Sequence, residues 1–290
     1  MTGRYAPSPT GPLHLGNLRT ALLAWLFARA AGSRFLLRIE DLDRGRARPE
    51  HEAGQLADLA AIGIDWDERP VRQSERSELY AAAAERLDTY PCFCTRAEIR
   101  EAASAPHGPV GAYPGTCATL TAAQVAQRLA SGRRPALRVR AGGARVAFAD
   151  RLTGPFEGVV DDFVVRRNDG AWAYNLAVVV DDADQGVEQV VRGADLLDST
   201  PRQLWLARAL RLPEPAYAHV PLVLGPDGAR LAKRHGAVTL GERPEGPERV
   251  RAMLARSLGL ARAGEAPSIA NLVARFDPDR LPSEPWVLDP

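Results

Sequence analysis

Early in the chain the apolar positions change period twice. Leu18, Ala21, Leu22, Trp25 and Leu26 fall at i, i+3, i+4, i+7 and i+8, one apolar face of a helix. Asn17 stands where an N-cap is expected and Gly32 where a C′ residue is. A short strand over 4–6 precedes this helix and exits into the stiff loop Pro7-Ser8-Pro9. A second apolar run, FLLRI over 35–39, follows it. Strand, helix, strand predicts a parallel βαβ unit and an α/β fold. Ligands in such folds gather at strand carboxyl ends and helix N-termini. Residues 7–17 and 40–43 lie at those places.

Further on, helical periodicity predicts helices over 50–62, 77–87, 202–210, 247–258 and 270–276. Short strands are expected over 137–139, 146–148 and 220–224. The β-branched runs FVV over 163–165 and LAVVV over 176–180 also read as strands. Residues 91–117 are different: cysteine-bearing, rich in glycine and proline, and weakly periodic, as an inserted subdomain would be. No repeat or low-complexity tract is present.

The 290 residues are 46% hydrophobic, enough for one large core or two small ones, and the formal charge of +1 gives no global attraction to nucleic acid. No apolar run is long enough to span a membrane, and no secretory pattern opens the chain. Three cysteines are an odd set, which argues against a disulfide framework and for a reducing compartment. A soluble cytoplasmic protein is expected, with no membrane partner and no sign of an obligate oligomer, hence a monomer.

Composition changes the picture at one point. Of 37 basic residues, 36 are arginine, and the one lysine is Lys233, in LAKRHG. A lone lysine in an arginine-rich chain marks a place that needs a compact ammonium rather than a planar fork. At the other end of the chain, His14 and Gly16 sit at a strand-to-helix junction. There unpaired N–H groups and the helix dipole attract anions, and a glycine lets a phosphate approach the backbone. In the insert, Cys92-Phe93-Cys94 with Cys117 offers three thiolates toward a tetrahedral zinc, and chemistry alone nominates His107 as the fourth ligand.

Taken together these motifs resemble the catalytic domain of the class I aminoacyl-tRNA synthetases, the glutamyl branch in particular. His14-Leu15-Gly16-Asn17 stands where that family has its His-x-Gly-His signature, after the glutamyl-like lead RYAPSPTG over 4–11. Arg230-Leu231-Ala232-Lys233-Arg234 is similar to its Lys-Met-Ser-Lys-Ser loop. RIEDLD over 38–43, AWAYNLAVVVDD over 171–182 and VVRGADLLDSTPRQ over 190–203 look like glutamyl-type segments, in the same order. The chain departs from the pattern at Asn17, at Ala232, and at Arg234 and His235.

The resemblance implies a Rossmann-like, parallel-sheet α/β catalytic domain over 1–240, with an insert at about 88–120 bearing a structural zinc site, and a short helical extension over 241–290. It implies that ATP, with Mg²⁺, is bound by His14, Gly16, Asn17 and Lys233, and that His14 and Lys233 act on the phosphates. Glutamate would be held by Arg4, Ala6, Ser8, Glu40, Tyr174 and Arg192, with Arg192 gripping a carboxylate in bidentate fashion. Asp181 and Asp182 would either orient this pocket or solvate a loop. The fourth zinc ligand becomes Tyr113, four residues before Cys117.

After Leu240 only 50 residues follow, fewer than the anticodon-reading part of a glutamyl synthetase requires. That shape is similar to the glutamyl-queuosine tRNA(Asp) synthetases, which carry the same Cys-x-Cys…Tyr-x₃-Cys pattern and transfer glutamate to the queuosine base in the anticodon stem-loop of tRNA(Asp). The rival readings are a shortened glutamyl-tRNA synthetase that charges the 3′ end and a non-catalytic RNA- or zinc-binding paralogue.

Overall fold

The computed structural model describes all residues except 96, 100–112, 232–234, 237, 289 and 290. Its centre is a seven-stranded sheet. The strands are β1 (Gly3–Tyr5), β2 (Phe35–Ile39), β3 (Val71–Arg72), β6 (Ala144–Asp150), β7 (Gly154–Val160), β9 (Gln189–Gly193) and β10 (Ala216–Val220). They run in the order β3-β2-β1-β9-β10-β6-β7, and neighbours are parallel except for the β6–β7 hairpin at one edge. β4 (Thr89–Cys92), β5 (Ala136–Val139) and β8 (Val164–Arg166) form a separate antiparallel sheet that carries the insert. The expected parallel-sheet α/β fold is therefore observed. Among the described residues no helix is long and apolar enough to cross a membrane.

Helix α1 (Leu15–Ala30) follows β1 directly and is buried on nearly every side. Leu15, Leu18, Leu22 and Leu26 are fully enclosed, each contributing about 2 kcal/mol of transfer free energy. Gly32 takes the left-handed conformation (φ 62°) expected of a C′ residue. The N-terminus differs from expectation. His14, not Asn17, is the N-cap, and Asn17 is the third helical residue of a capping box.

The largest correction concerns LAVVV. It is not a strand but part of α5 (Tyr174–Asp184; α2 to α4 are Pro49–Ala61, Ser77–Glu85 and Ala122–Ala130). Leu176 to Asp182 are all buried. A segment enclosed on every face has no polar side, so its periodicity carries no information and β-branching misleads.

The segment after residue 240 shares the main core. α7 (Pro247–Ser257) and α8 (Ile269–Arg275), which follow α6 (Thr200–Leu210) in sequence, place Val250, Leu254 and Leu272 in the cluster around α1. Phe276 meets Phe27 edge to face at 5.1 Å. Arg19, buried and with no carboxylate partner among the described residues, donates to Ser257 Oγ and O and to Pro221 O, tying α1 to the end of α7. Finally β12 (Trp286–Val287) pairs in parallel with β11 (Val223–Leu224).

Candidate active site

At the carboxyl ends of β1, β2 and β9 lies a cavity of about 570 Å³. Arg4, Ala6, Ser8, His14, Gly16, Asn17, Glu40, Tyr174 and Arg192, nine of the residues singled out in the sequence, all line it. Strand order explains the gathering. β1 is flanked by β2 and β9, so residues ending three distant segments meet at one edge of the sheet. Glu40 N–H donates to Pro7 O at 2.9 Å, which closes the mouth of β2 onto the proline loop.

The capping box defines one wall. Asn17 N–H donates to His14 Nδ1 and His14 N–H to Asn17 Oδ1, both at 3.2 Å. Nδ1 is therefore an acceptor, and a neutral His14 carries its proton on Nε2, ready to donate. Burial, then the Arg230 guanidinium, lowers the His14 pKa, which favours this neutral form. A Cβ on Gly16 would stand 3.0 Å from the His14 ring and 3.3 Å from Val223 Cβ, so a larger residue would have to displace the ring by a few tenths of an ångström.

The opposite wall is held by a buried charge network that motif reading left undecided. Asp182 accepts hydrogen bonds from Arg4 Nε (3.2 Å) and Nη2 (3.4 Å) and from Arg38 Nη1 (2.7 Å). Asp181 accepts from Gln73 Nε2 (2.8 Å), Arg76 Nε (2.7 Å) and the Tyr80 hydroxyl. Both aspartates are buried; Asp182 fixes the cavity-lining Arg4, whereas the partners of Asp181 lie behind the cavity wall. Burial opposes ionisation of Asp182, but Arg4 and Arg38 outweigh it and hold its carboxyl below the ordinary range. Arg38 was missed. A charged residue within the buried run FLLRI was the available signal, since such a group demands counter-charges.

Glu40 differs from Asp182. Arg38 Nη2 is 3.6 Å away, beyond a hydrogen bond. Burial pushes the Glu40 carboxyl up to about 7, against the pull of Arg38 and Arg4 and with the help of Asp182 and Asp181. It is a carboxylate short of a cation. Tyr174, at the start of α5, has its phenol pKa raised by burial and then by Glu40, so it stays protonated and able to donate.

Arg192 is engaged by the protein more fully than expected. Nε donates to His219 Nε2 (3.1 Å), Nη1 to Gln203 Oε1 (2.7 Å), and Nη2 to Thr200 Oγ1 (2.8 Å) and Leu196 O (3.4 Å). Four of its five N–H donors are used. Among the described residues one on Nη1 has no partner, so the geometry offers substrate a single N–H rather than the bidentate grip expected.

Lys233 lies outside the described residues, but both flanks of its loop are described. Leu231 lines the cavity and donates to Val223 O at 3.2 Å. On the return, Val238 O accepts from Leu15 N–H at 2.7 Å, and Thr239 bridges His14. The loop leaves and re-enters the wall formed by the α1 N-terminus.

In the insert, the Sγ atoms of Cys92, Cys94 and Cys117 lie within 4.8 Å of one another. Tetrahedral zinc with Zn–S bonds of about 2.3 Å places sulfurs roughly 3.8 Å apart. The Tyr113 hydroxyl is 3.4 Å from Cys92 Sγ and 3.9 Å from Cys94 Sγ, and it accepts the Cys117 N–H at 2.8 Å. Three thiols and a phenol oxygen thus converge on one point, a donor set that fits zinc. His107 lies outside the described residues.

Residues 1–275 match the family described as tRNA synthetases class I (E and Q), catalytic domain. The chain is 61% identical to the glutamyl-Q tRNA(Asp) synthetase of Nocardia farcinica, over 99% of this chain and 92% of that protein. It is 53% identical to the protein of the same name from Symbiobacterium thermophilum, over 98% and 95%. A crystal structure of a glutamate tRNA ligase from Elizabethkingia meningosepticum, in complex with its amino acid, superposes with a TM-score of 0.87 at 30% identity, covering all of this chain and 67% of that one. The chain therefore belongs to the class I tRNA synthetase family of the glutamyl and glutaminyl type, among relatives named glutamyl-Q tRNA(Asp) synthetase.

Proposed function

We propose that this ATP-dependent ligase activates glutamate as glutamyl-adenylate and transfers it to the queuosine base in the anticodon of tRNA(Asp). The observation that carries this reading is a full-length likeness, above half identity, to relatives bearing that name. Residues 1–240, with the insert at about 88–120, carry the described pocket and the zinc-ligand set, and 241–290 are a mainly helical extension packed into the same core.

The chemistry follows from the cavity walls. The α-carboxylate oxygen of glutamate attacks the α-phosphorus of ATP in line. An O–P bond forms as the bond to the departing pyrophosphate breaks, so positioning and charge stabilisation carry the step. His14 Nε2–H donates to a phosphate oxygen at the start of α1, Gly16 gives it room, the Asn17 side-chain amide N–H donates beside it, and Lys233 neutralises charge on the leaving pyrophosphate. Mg²⁺ arrives with ATP. Arg4 and the remaining N–H of Arg192 meet substrate carboxylate, Ala6 and Ser8 form the floor, Tyr174 closes the pocket, and Glu40 takes the α-ammonium. Cys92, Cys94, Tyr113 and Cys117 hold zinc, which staples an insert too poor in apolar residues to fold alone.

Labelled glutamate, with ATP and Mg²⁺, should be transferred onto total tRNA from queuosine-containing cells and mapped by nuclease to an anticodon fragment. Label at the 3′ end would identify a shortened conventional ligase instead. No label and no pyrophosphate exchange would mean a non-catalytic paralogue.

Two further outcomes follow. Glu40 has a raised pKa in the free pocket, and a bound ammonium favours its carboxylate. Affinity for glutamate should then rise with pH and level off above about 7, KM growing by up to about tenfold per unit below that point. Glu40→Gln should weaken binding and remove the slope; a flat wild-type profile would refute the ammonium role. Metal analysis should find about one zinc per chain, lost in Cys117→Ala. Zinc retained at full content in that variant would exclude the site.

A further inference from the structure

We propose that Asp150 and His219 are positioning residues for Arg192, fixing through a single imidazole tautomer the direction in which its one uncommitted N–H enters the cavity. The proposal rests on the reading of Arg192 as a carboxylate-binding group.

The three residues sit on adjacent parallel strands, His219 in register with Arg192 and Asp150 at the end of β6. His219 is completely enclosed (0% exposed) and Arg192 nearly so (5%), so water does not supply missing partners. Arg192 Nε–H is an obligate donor and points at His219 Nε2 at 3.1 Å. Nε2 must therefore accept, which leaves the imidazole proton on Nδ1, facing Asp150 Oδ2 at 2.6 Å. Asp150 is fixed in turn. Its Oδ1 accepts the N–H groups of Leu152 and Thr153, both at 3.0 Å, and the His219 N–H reaches both oxygens at 3.1 Å. Burial pushes the Asp150 pKa up, but these hydrogen bonds bring it down to about 2. An ionised carboxylate anchored at four donors thus dictates the tautomer, and the tautomer dictates the orientation of the guanidinium.

A substitution can invert this chain without changing its shape. In Asp150→Asn the Leu152 and Thr153 N–H groups require the amide oxygen at the Oδ1 position. The amide nitrogen then faces His219 Nδ1, which must become an acceptor. The proton moves to Nε2, and two donors confront each other at Arg192.

The test is pyrophosphate exchange by the zinc-loaded full chain, with KM measured separately for glutamate and ATP. Asp150→Asn should raise KM for glutamate by tenfold or more and leave KM for ATP within about twofold. His219→Gln, whose amide oxygen can replace Nε2, should retain most of the glutamate affinity, and His219→Phe should lose it. This pair decides the matter if Asp150→Asn does not fold. Unchanged KM for glutamate in a folded Asp150→Asn, a parallel rise in both KM values, or equal loss in His219→Gln and His219→Phe would overturn the proposal. Arg192→Gln separates the two layers. If it raises KM for glutamate while Asp150→Asn does not, only the positioning idea fails; if it leaves that KM unchanged, the role of Arg192 fails and the positioning idea with it.

Discussion

Asp182→Ala should lower the unfolding free energy by about 3 kcal/mol, because it removes the carboxylate that both buried arginines bond. Arg38 keeps Gln185 Oε1 at 3.0 Å and lies 3.6 Å from Asp181 and Glu40, but Arg4 loses its ion-pair partner. Arg38 is fully enclosed and Arg4 is 4% exposed, and both direct hydrogen bonds to this carboxylate. Coulombic attraction in so enclosed a place barely offsets the desolvation of either partner, so loss of one leaves nearly the whole penalty standing. The pH dependence has a definite sign. Asp182 has a folded-state pKa below its ordinary value, so its contribution is present above about pH 3.9 and fades as pH falls through the lowered value. Chemical denaturation of the wild type and variant at neutral pH reads the effect directly. A midpoint shift equivalent to less than about 1 kcal/mol would mean that the cations find other partners.

Lys233→Arg should reduce adenylate formation by well over tenfold, more than about 1.4 kcal/mol of transition-state stabilisation, although it keeps the charge. The side chain itself is outside the described residues. What is described are the two ends of its loop, pinned to Val223 on one side and to Leu15 and His14 on the other. Fixed ends limit how far the loop can adjust to a longer, planar head group, and pyrophosphate leaving needs a point charge on a flexible stem. Pyrophosphate exchange with glutamate measures this, and near-normal exchange by the variant would remove Lys233 from the mechanism.

The β1–α1–β2 unit was legible in the sequence because its periodicities are unambiguous and its loops carry prolines and glycines. Nine cavity residues were legible because each belongs to a motif at a strand end. Other features required three dimensions. LAVVV hides its helical nature because all its faces are buried. Arg38 opens the RIEDLD segment but its counter-charge is not in that segment, Asp150 and His219 belong to none of the motifs, and the meaning of all three comes from elements that are neighbours in space but distant in the chain. The N-cap was misassigned by three residues because histidine's Nδ1 can do what an asparagine oxygen usually does.

The pairing of β12 with β11 has a consequence for the order of events during synthesis. Val223 lies beside Gly16 in the cavity wall, and its strand finds its parallel partner only at Trp286, about sixty residues later. Translation at about 5–20 residues per second leaves that edge unpaired for roughly 2–9 s after Thr239, on the last described segment of the wall, has been made. During this interval the nascent protein holds a nearly complete pocket beside an open β-edge, the kind of edge that recruits stray strands. Closure of the ribbon at Trp286 and Val287 therefore follows the synthesis of every described residue that lines the pocket.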